Sequence, residues 1–389
     1  MPTKLRILDS IADVAEADWD ALVTHDAEAN PFVRWAFLEA MEHSGCATAR
    51  TGWTPRHLTL WNGKQLIAAA PAYQRADSDG DFSRDWHWAE FAMRAGFRYY
   101  PKLLVTVPFT PVSGRRFLVA AGLDRAPHVR ALVDAARELA REERMSSVHV
   151  LFPARDELPE LEQAGLAPRQ SYQFHWHNRG YTSYDDWLGK ALDSKRRHQA
   201  RRERGAAATQ GISIRTVRGD ELASDAKAWA KTAHDFHRST VDKLMWGRPW
   251  LNLAFYQRVF TKMPGPMEVV AATREGTFVA GAFNVASATR LFGRYWGCHE
   301  DHPFLHFHVC LYHSVDDCIT RGLQVFEGGA GGEHKMSRGF EPTETFSAHA
   351  FTDARLDRAI RDHLVKEGEA RAAELAGWRA QHQTRGAKR

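Results

Sequence analysis

A chain of 389 residues with 44% apolar and 26% charged side chains has the make-up of a folded globular protein, and its length favours two domains. A net charge of +4 is small for this size and does not by itself imply a nucleic-acid partner. No apolar run approaches the ~20 residues that a membrane-spanning helix needs.

The first segment, MPTKLRILDSIADVAEADWDAL, has no apolar h-region or small-residue cleavage site. Ser10 reads as a helix N-cap with Asp13 in the first turn and Ile11, Val14 and Trp19 as the buried side. NPFVRWAFLEAM carries Phe37, Leu38 and Met41 at helical spacing. HLTLWNGKQLIAAAPAY predicts two strands around an Asn62-Gly63 turn, a strong hairpin signal. The aromatic-rich run Ser83 to Lys102 is expected to be core or a covering lid. VPFTPVSGRRF places Ser113, Gly114, Arg115 and Arg116 after a strand, a candidate anion nest. PHVRALVDAARELAREE is an amphipathic helix with Val129, Leu132, Val133, Ala136 and Leu139 on one face, followed by the alternating strand SSVHVLFP. SKRRHQARRER predicts a helix whose cations spread around its circumference with only Glu203 against them. MEVVAATREGTFVAGAFNVA repeats the hairpin, turning at Glu275-Gly276, and FHVCLYHSVDDCITRG with LQVFEGG repeats the helix and strand. From Asp353 onward the chain reads as a charged, solvated helix. The four cysteines, Cys46, Cys298, Cys310 and Cys318, lack CxxC spacing, so reduced thiols in a cytoplasmic protein are expected.

Three of these segments are said twice, in the same order. NPFVRWAFLEAM is echoed by RPWLNLAFYQRV, NGKQLIAAAPAY by EGTFVAGAFNVA, and AGLAPRQSYQFH by RGFEPTETFSAH, at offsets of 218, 213 and 174 residues. Order-preserving echoes imply duplication, with Ser83–Lys102 as the surplus of the first half. Hairpin, helix and strands in each half make an α+β fold with mainly antiparallel sheets. The expected boundaries are 1–170 for the first lobe, 171–352 for the second, opening with a basic helix over 185–209, and 353–389 for the C-terminal charged helix.

The order of elements resembles the GNAT acyltransferase fold, present twice. The wording of NPFVRWAFLEAMEHSG, TGWTPRHLTL, RYYPKLLVTVPFTPVSG, QFHWHNRGY, SKRRHQARRERGAAATQGI, GRYWGC, HPFLHFHVC and GEHKMSRG is similar to FemAB-like relatives of the Fem-type aminoacyltransferases, across nearly the whole chain. The resemblance implies two tandem GNAT-like lobes and an N-acyltransferase with aminoacyl-tRNA as the donor. Two rivals stand beside it: an acyl-CoA-dependent enzyme of the same fold, and a non-catalytic tRNA- or nucleotide-binding protein. The long helical hairpin that Fem enzymes insert in their second lobe has no counterpart here, and neither half has the Q-x-x-G-x-G/A diphosphate loop of acetyl-CoA enzymes.

Such chemistry needs positioning, a path for the amine proton and donors for the oxyanion, with no covalent intermediate. FEGGAGGEHKMSRGF offers an acid, a base and a cation behind glycines that admit close approach: Glu333, His334 and Lys335. The resemblance makes Lys335 the first choice of partner for a carboxylate, phosphate or ester oxygen. GCHEDHPFLHFHVC supplies Asp301 and His302, read as substrate contacts, as a helix cap with packed histidines, or, with His306 and Cys310, as metal ligands. Glu327, Gly329, Gly331, Tyr295 and His306 are the expected cleft lining. Lys195, Arg196, Arg197, Arg201, Arg202 and Arg115 are the candidates for donor phosphates. The expectation is no metal and no bound cofactor, with a small-molecule or peptide amine as acceptor.

Overall fold

The structure, a computed structural model, describes residues 3–386 apart from Leu244 and Trp246; the side chains of Glu333, Arg379 and residues 381–386 also lie outside the description. The chain forms two units. Unit 1 holds the residues up to Tyr172 together with Glu344–Ala373; unit 2 holds Gln173–Thr343 and the chain from Glu374 onward.

In unit 1, β1 (Thr3–Leu8) leads into the turn capped by the Ser10 hydroxyl, then α1 (Glu16–Ala21) and α2 (Trp35–His43). β2 (Trp53–Pro55), β3 (His57–Asn62), β4 (Gln65–Ala70) and β5 (Ala72–Arg75) follow, with β3 and β4 forming the hairpin predicted at Asn62-Gly63. The surplus segment supplies α3 (Trp86–Arg94) and leads into β6 (Lys102–Val105). Next come β7 (Leu118–Val119), α4 (Arg125–Glu142), β8 (Ser147–Leu151), α5 (Leu158–Gln163) and β9 (Ala167–His177), whose last residues belong to unit 2. α4 starts where Asp124 caps its first turn. Its apolar stripe, Val129, Leu132, Val133, Ala136 and Leu139, packs in one cluster with Leu58, Leu60, Ala68, Ala70, Leu103 and Val148 of the strands.

Unit 2 runs α6 (Tyr184–Ala191), α7 (Ser194–Thr209), β10 (Ile212–Val217), α8 (Gly219–Ser224), α9 (Ala226–Val241), α10 (Leu253–Lys262), β11 (Met267–Arg274), β12 (Thr277–Ala286) and β13 (Arg290–Cys298). One helical run then passes from α11 (Leu305–Phe307) through a π-helical turn (His308–Tyr312) into α12 (His313–Arg321). β14 (Val325–Glu327), a 3-10 turn (Glu333–Arg338), β15 (Glu341–Phe351) and α13 (Ala354–Gly386) complete the chain. β10, β11, β12 and β13 pair antiparallel in that order. The β11–β12 turn has Glu275 and Gly276 both at positive φ, 52° and 78°, the primed hairpin geometry that matches strand twist.

The duplication is visible at the level of element bounds. α2 and α10 begin 218 residues apart, and β9 and β15 are both 11-residue strands 174 residues apart. The closing strands are exchanged, however. β14 of unit 2 pairs antiparallel with His175–His177 of β9, a strand from the first repeat. β8 of unit 1 pairs antiparallel with Ser347–Phe351 of β15, a strand from the second. The simple succession of lobes expected at 170 and 352 therefore becomes two units that each take their last strand from the other repeat.

Two local expectations also change. The basic segment is two helices, because the backbone turns extended at Leu192 and Asp193, where Asp193 caps α7. The C-terminal helix is no solvated flank: Leu356, Ile360 and Leu364 are buried with Trp88, Ala89 and Ala92 of α3 and with Phe351. Among the described residues, no helix is long and apolar enough to cross a membrane.

Candidate active site

β13 pairs parallel with β14 at only three positions, Arg290 with Val325, Leu291 with Phe326 and Phe292 with Glu327. Beyond them the two chains part. β13 continues through Gly293 to Cys298 beside β12, while the chain after Glu327 enters Gly328–Gly332 and then the 3-10 turn. A register shift between Phe283 and Asn284 on β12 alters the pairing at the same level. The wedge encloses a cavity of about 300 Å³ lined by β13, the glycine loop, the 3-10 turn and the helical run, with Asn284, Tyr295, His306, Cys310, His334 and Lys335 among its walls.

Gly332 shows why this loop is glycine. It lies at φ 85°, and a Cβ there would come within 2.7 Å of the His334 ring and 3.3 Å of Lys335 Nζ. Lys335 is buried, and its ammonium donates to the carbonyls of Gly329 at 3.0 Å and Gly331 at 2.6 Å. Burial pulls its pKa down to about 8, against a small opposing effect of Cys310. Burial likewise lowers His306 to about 4 and lowers His334, with the neighbouring Lys335 and Arg338 charges adding to the effect in both. The Cys310 thiol is pushed far up by burial and stays protonated. His306 packs against Trp296 with ring centroids 5.0 Å apart and faces His334 at 6.2 Å. A buried cation beside neutral imidazoles is suited to holding an acyl oxygen and accepting a proton nearby.

The 3-10 turn is fastened from behind. Arg338 donates from Nε and Nη2 to the two carboxylate oxygens of Glu203 on α7, both at 2.9 Å, and its guanidinium lies 3.4 Å over the Phe307 ring. Tyr312 and Gln199 also donate to Glu203, at 2.7 and 2.8 Å. Burial alone would raise the Glu203 pKa; these donors, Arg338 foremost, hold it lower.

Of the expected residues, the structure brings Lys335, His334, His306, Tyr295, Gly329 and Gly331 to one cavity. The side chain of Glu333 lies outside the described residues. Asp301 and His302 do not join this wall. Asp301 is exposed and held by Lys243 and the Cys298 thiol, each at 3.3 Å, while His302 sits between Gln210 and Glu300, each at 3.0 Å. The His302, His306 and Cys310 set therefore does not converge as metal ligands. Glu327 is buried in β14 outside the cavity lining, with Arg290 at 3.3 Å and His175 at 3.8 Å.

The cation candidates are mostly engaged within the fold. Arg115 chelates Asp156 through two 2.6 Å bonds and donates to Asp26 at 2.9 Å. The nest beside it already holds an internal anion: the amides of Arg116 and Phe117 donate to the buried Glu157 carboxylate at 3.0–3.2 Å. On α7, Arg196 lies 3.7 Å from Asp193, Arg197 donates to the Gly189 carbonyl at 3.2 Å, Arg201 pairs with Asp185 at 3.1 Å and Arg202 stacks on Phe304. Lys195 is exposed. A groove of about 610 Å³ runs along α7, lined by Tyr184, Arg201, Arg204, Gly205, His308 and His313. Sequence reading missed Asn284, Trp296 and Arg338; a polar residue inside the apolar run of β12 was the one available signal for Asn284.

Residues 10–385 match a protein family described as peptidoglycan biosynthesis/recognition. Among solved structures the fold is similar to FemX, at TM-score 0.55 and 12% identity over 93% of this chain and 100% of that one. It is also similar to L-PGS from Bacillus licheniformis, at TM-score 0.52 and 8% identity over 91% of this chain and 96% of that one. At such identities the likeness is one of fold. No curated protein matches the sequence.

Proposed function

Since the chain belongs to the FemAB-like family and is built of two duplicated GNAT-like units, we propose that it transfers an acyl group, carried as an aminoacyl ester on tRNA, to the amine of a peptidoglycan precursor or a related small molecule. The observation that carries this reading is the wedge between β13 and β14 with the Lys335 ammonium buried in it. The acyl carbonyl lies in the wedge with its oxygen on the third hydrogen of the ammonium. The incoming amine attacks the ester carbon, the C–O bond to the ribose breaks, and the amine's proton leaves toward the neutral His334 ring. The ribose oxygen departs protonated from water. Burial of the ammonium strengthens its hold on the developing oxyanion.

The choice of RNA over a coenzyme A thioester rests on charge. Ahead of the helical run after β13, the nearby cations Arg274 and Lys243 are taken up by Glu300 and Asp301, at 3.4 and 3.3 Å. The groove along α7 offers Arg201 and Arg204 to a phosphate chain instead. Both arginines have internal carboxylate partners, so binding exchanges Asp185 and Asp316 for phosphates.

The test is steady-state kinetics with each donor. Arg201→Glu is expected to raise the KM for charged tRNA at least tenfold while leaving the KM for the amine unchanged. It should also reduce the salt dependence of tRNA binding by about one unit of log–log slope per lost contact. Turnover with acyl-CoA that survives ribonuclease treatment would assign the donor to the coenzyme A class.

A further inference from the structure

Two exposed histidines and a glutamate meet in unit 1, well apart in sequence from every residue of the cavity. His363 and Glu367 are four residues apart on α13 and share one helix face; His87 comes from α3. Their candidate ligand atoms, an imidazole nitrogen from each histidine and a carboxylate oxygen, all lie within 4.8 Å of one another. The two rings have centroids 5.6 Å apart and are inclined at 61°, so they meet at an angle and do not stack face to face.

The scaffold behind these side chains is rigid. His87 adjoins Trp88 and His363 adjoins Leu364, and both neighbours are buried in the cluster that packs α3 against α13. The carboxylate is oriented as well. Arg169 donates to both oxygens of Glu367 at 2.9 Å, donates to the Ser83 carbonyl at 2.7 Å and lies 4.5 Å over the Trp88 ring. Each carboxylate oxygen keeps a second lone pair beyond the one Arg169 occupies. Second partners of this kind orient ligating carboxylates in metal sites.

We infer that His87, His363 and Glu367 form a binding site for a divalent transition-metal ion, zinc being the ion that suits the set best, and that the bound ion cross-links α3 to α13. Two imidazoles and one carboxylate are a zinc ligand set that leaves a fourth position for water. Zinc bonds of 2.0–2.2 Å place tetrahedral ligands about 3.4 Å apart. The two exposed imidazoles must rotate inward by the remaining distance, about 1.4 Å at most for any pair. The Arg169 charge opposes the cation, so the site is expected to be weaker than a closed four-ligand structural zinc site.

Isothermal titration of the metal-stripped full chain with zinc chloride tests this. One equivalent is expected to bind, with affinity at least tenfold weaker in His363→Ala, in His87→Ala and in Glu367→Gln, the last of which keeps a hydrogen-bonding partner for Arg169. Cobalt(II) should give the visible absorption of a low-symmetry nitrogen–oxygen site in the wild type and lose it in the variants. Zinc should raise the thermal midpoint of the wild type and leave that of His87→Ala/His363→Ala unchanged. Both imidazoles are exposed, so the stripped double variant should unfold at the wild-type urea midpoint. Zinc binding by the double variant equal to wild type, or no zinc binding by the wild type, overturns the inference.

Discussion

The ammonium of Lys335 gives two of its three hydrogens to the carbonyls of Gly329 and Gly331, and no carboxylate stands among the described residues lining its cavity. As the charged form is the one that polarises an acyl oxygen, turnover is expected to fall as pH rises through about 8, where this ammonium loses its proton. Lys335→Met should lower kcat by about 10²-fold or more with the circular dichroism spectrum unchanged. Lys335→Arg should move the alkaline fall out of the measured range. A different pH dependence belongs to the buried imidazoles. Burial, first among the causes, holds His149, His175 and His237 near pKa 3. The unfolded chain takes up their protons near pH 6.5 while the folded chain does not, so the stability they permit is present above pH 6.5 and declines as pH falls toward 3. The unfolding free energy from urea titrations should drop between pH 7 and pH 5, by on the order of 2 kcal/mol per histidine, and His175→Gln should remove one share of that slope.

The elements that carry the site are tied by a few side chains of opposite sign. Glu203 was legible as the lone acid of a basic helix, and its partner was not, because Arg338 lies 135 residues away. Glu203→Ala leaves the buried Arg338 uncompensated and is expected to cost about 3–5 kcal/mol in unfolding free energy. Glu203→Ala/Arg338→Met should recover part of that loss, measured as a double-mutant cycle. If the costs of the two single variants simply add up to that of the double variant, the pair has no coupling energy and the 3-10 turn is held by packing alone. Lys102 illustrates the same rule in unit 1: it is fully buried between Asp81 and Asp85 at 2.8 and 2.6 Å, in the segment that the sequence marks only as aromatic-rich.

At the scale of the molecule the exchanged strands govern what can fold alone. Unit 1 needs β15 and the first part of α13, which are encoded after unit 2. A fragment ending at residue 172 is therefore expected to show no cooperative urea transition, since it lacks β15, one of the two strands that flank β8, and the Leu356, Ile360 and Leu364 side chains that cover Trp88. Each of those buried side chains contributes about 1.5–3 kcal/mol. A cooperative transition in that fragment would mean that unit 1 closes without the exchanged strand.

The α+β class, the duplication, both hairpin turns and the apolar face of α4 follow from the sequence alone, because periodicity, turn chemistry and internal echoes are local properties of neighbouring residues. The glycine loop with His334 and Lys335 was legible for the same reason: its glycines and its titratable groups are consecutive. What the tertiary structure decided is which groups meet across long separations. It placed Asp26, Asp156 and Glu157 on the arginines and amides of the supposed anion nest, drew Asp301 and His302 away from the cavity, packed the charged C-terminal helix into unit 1 and exchanged β9 with β15. An arginine's charge is written in its own letter, but whether that charge is free for a ligand depends on a carboxylate whose position only the folded chain determines.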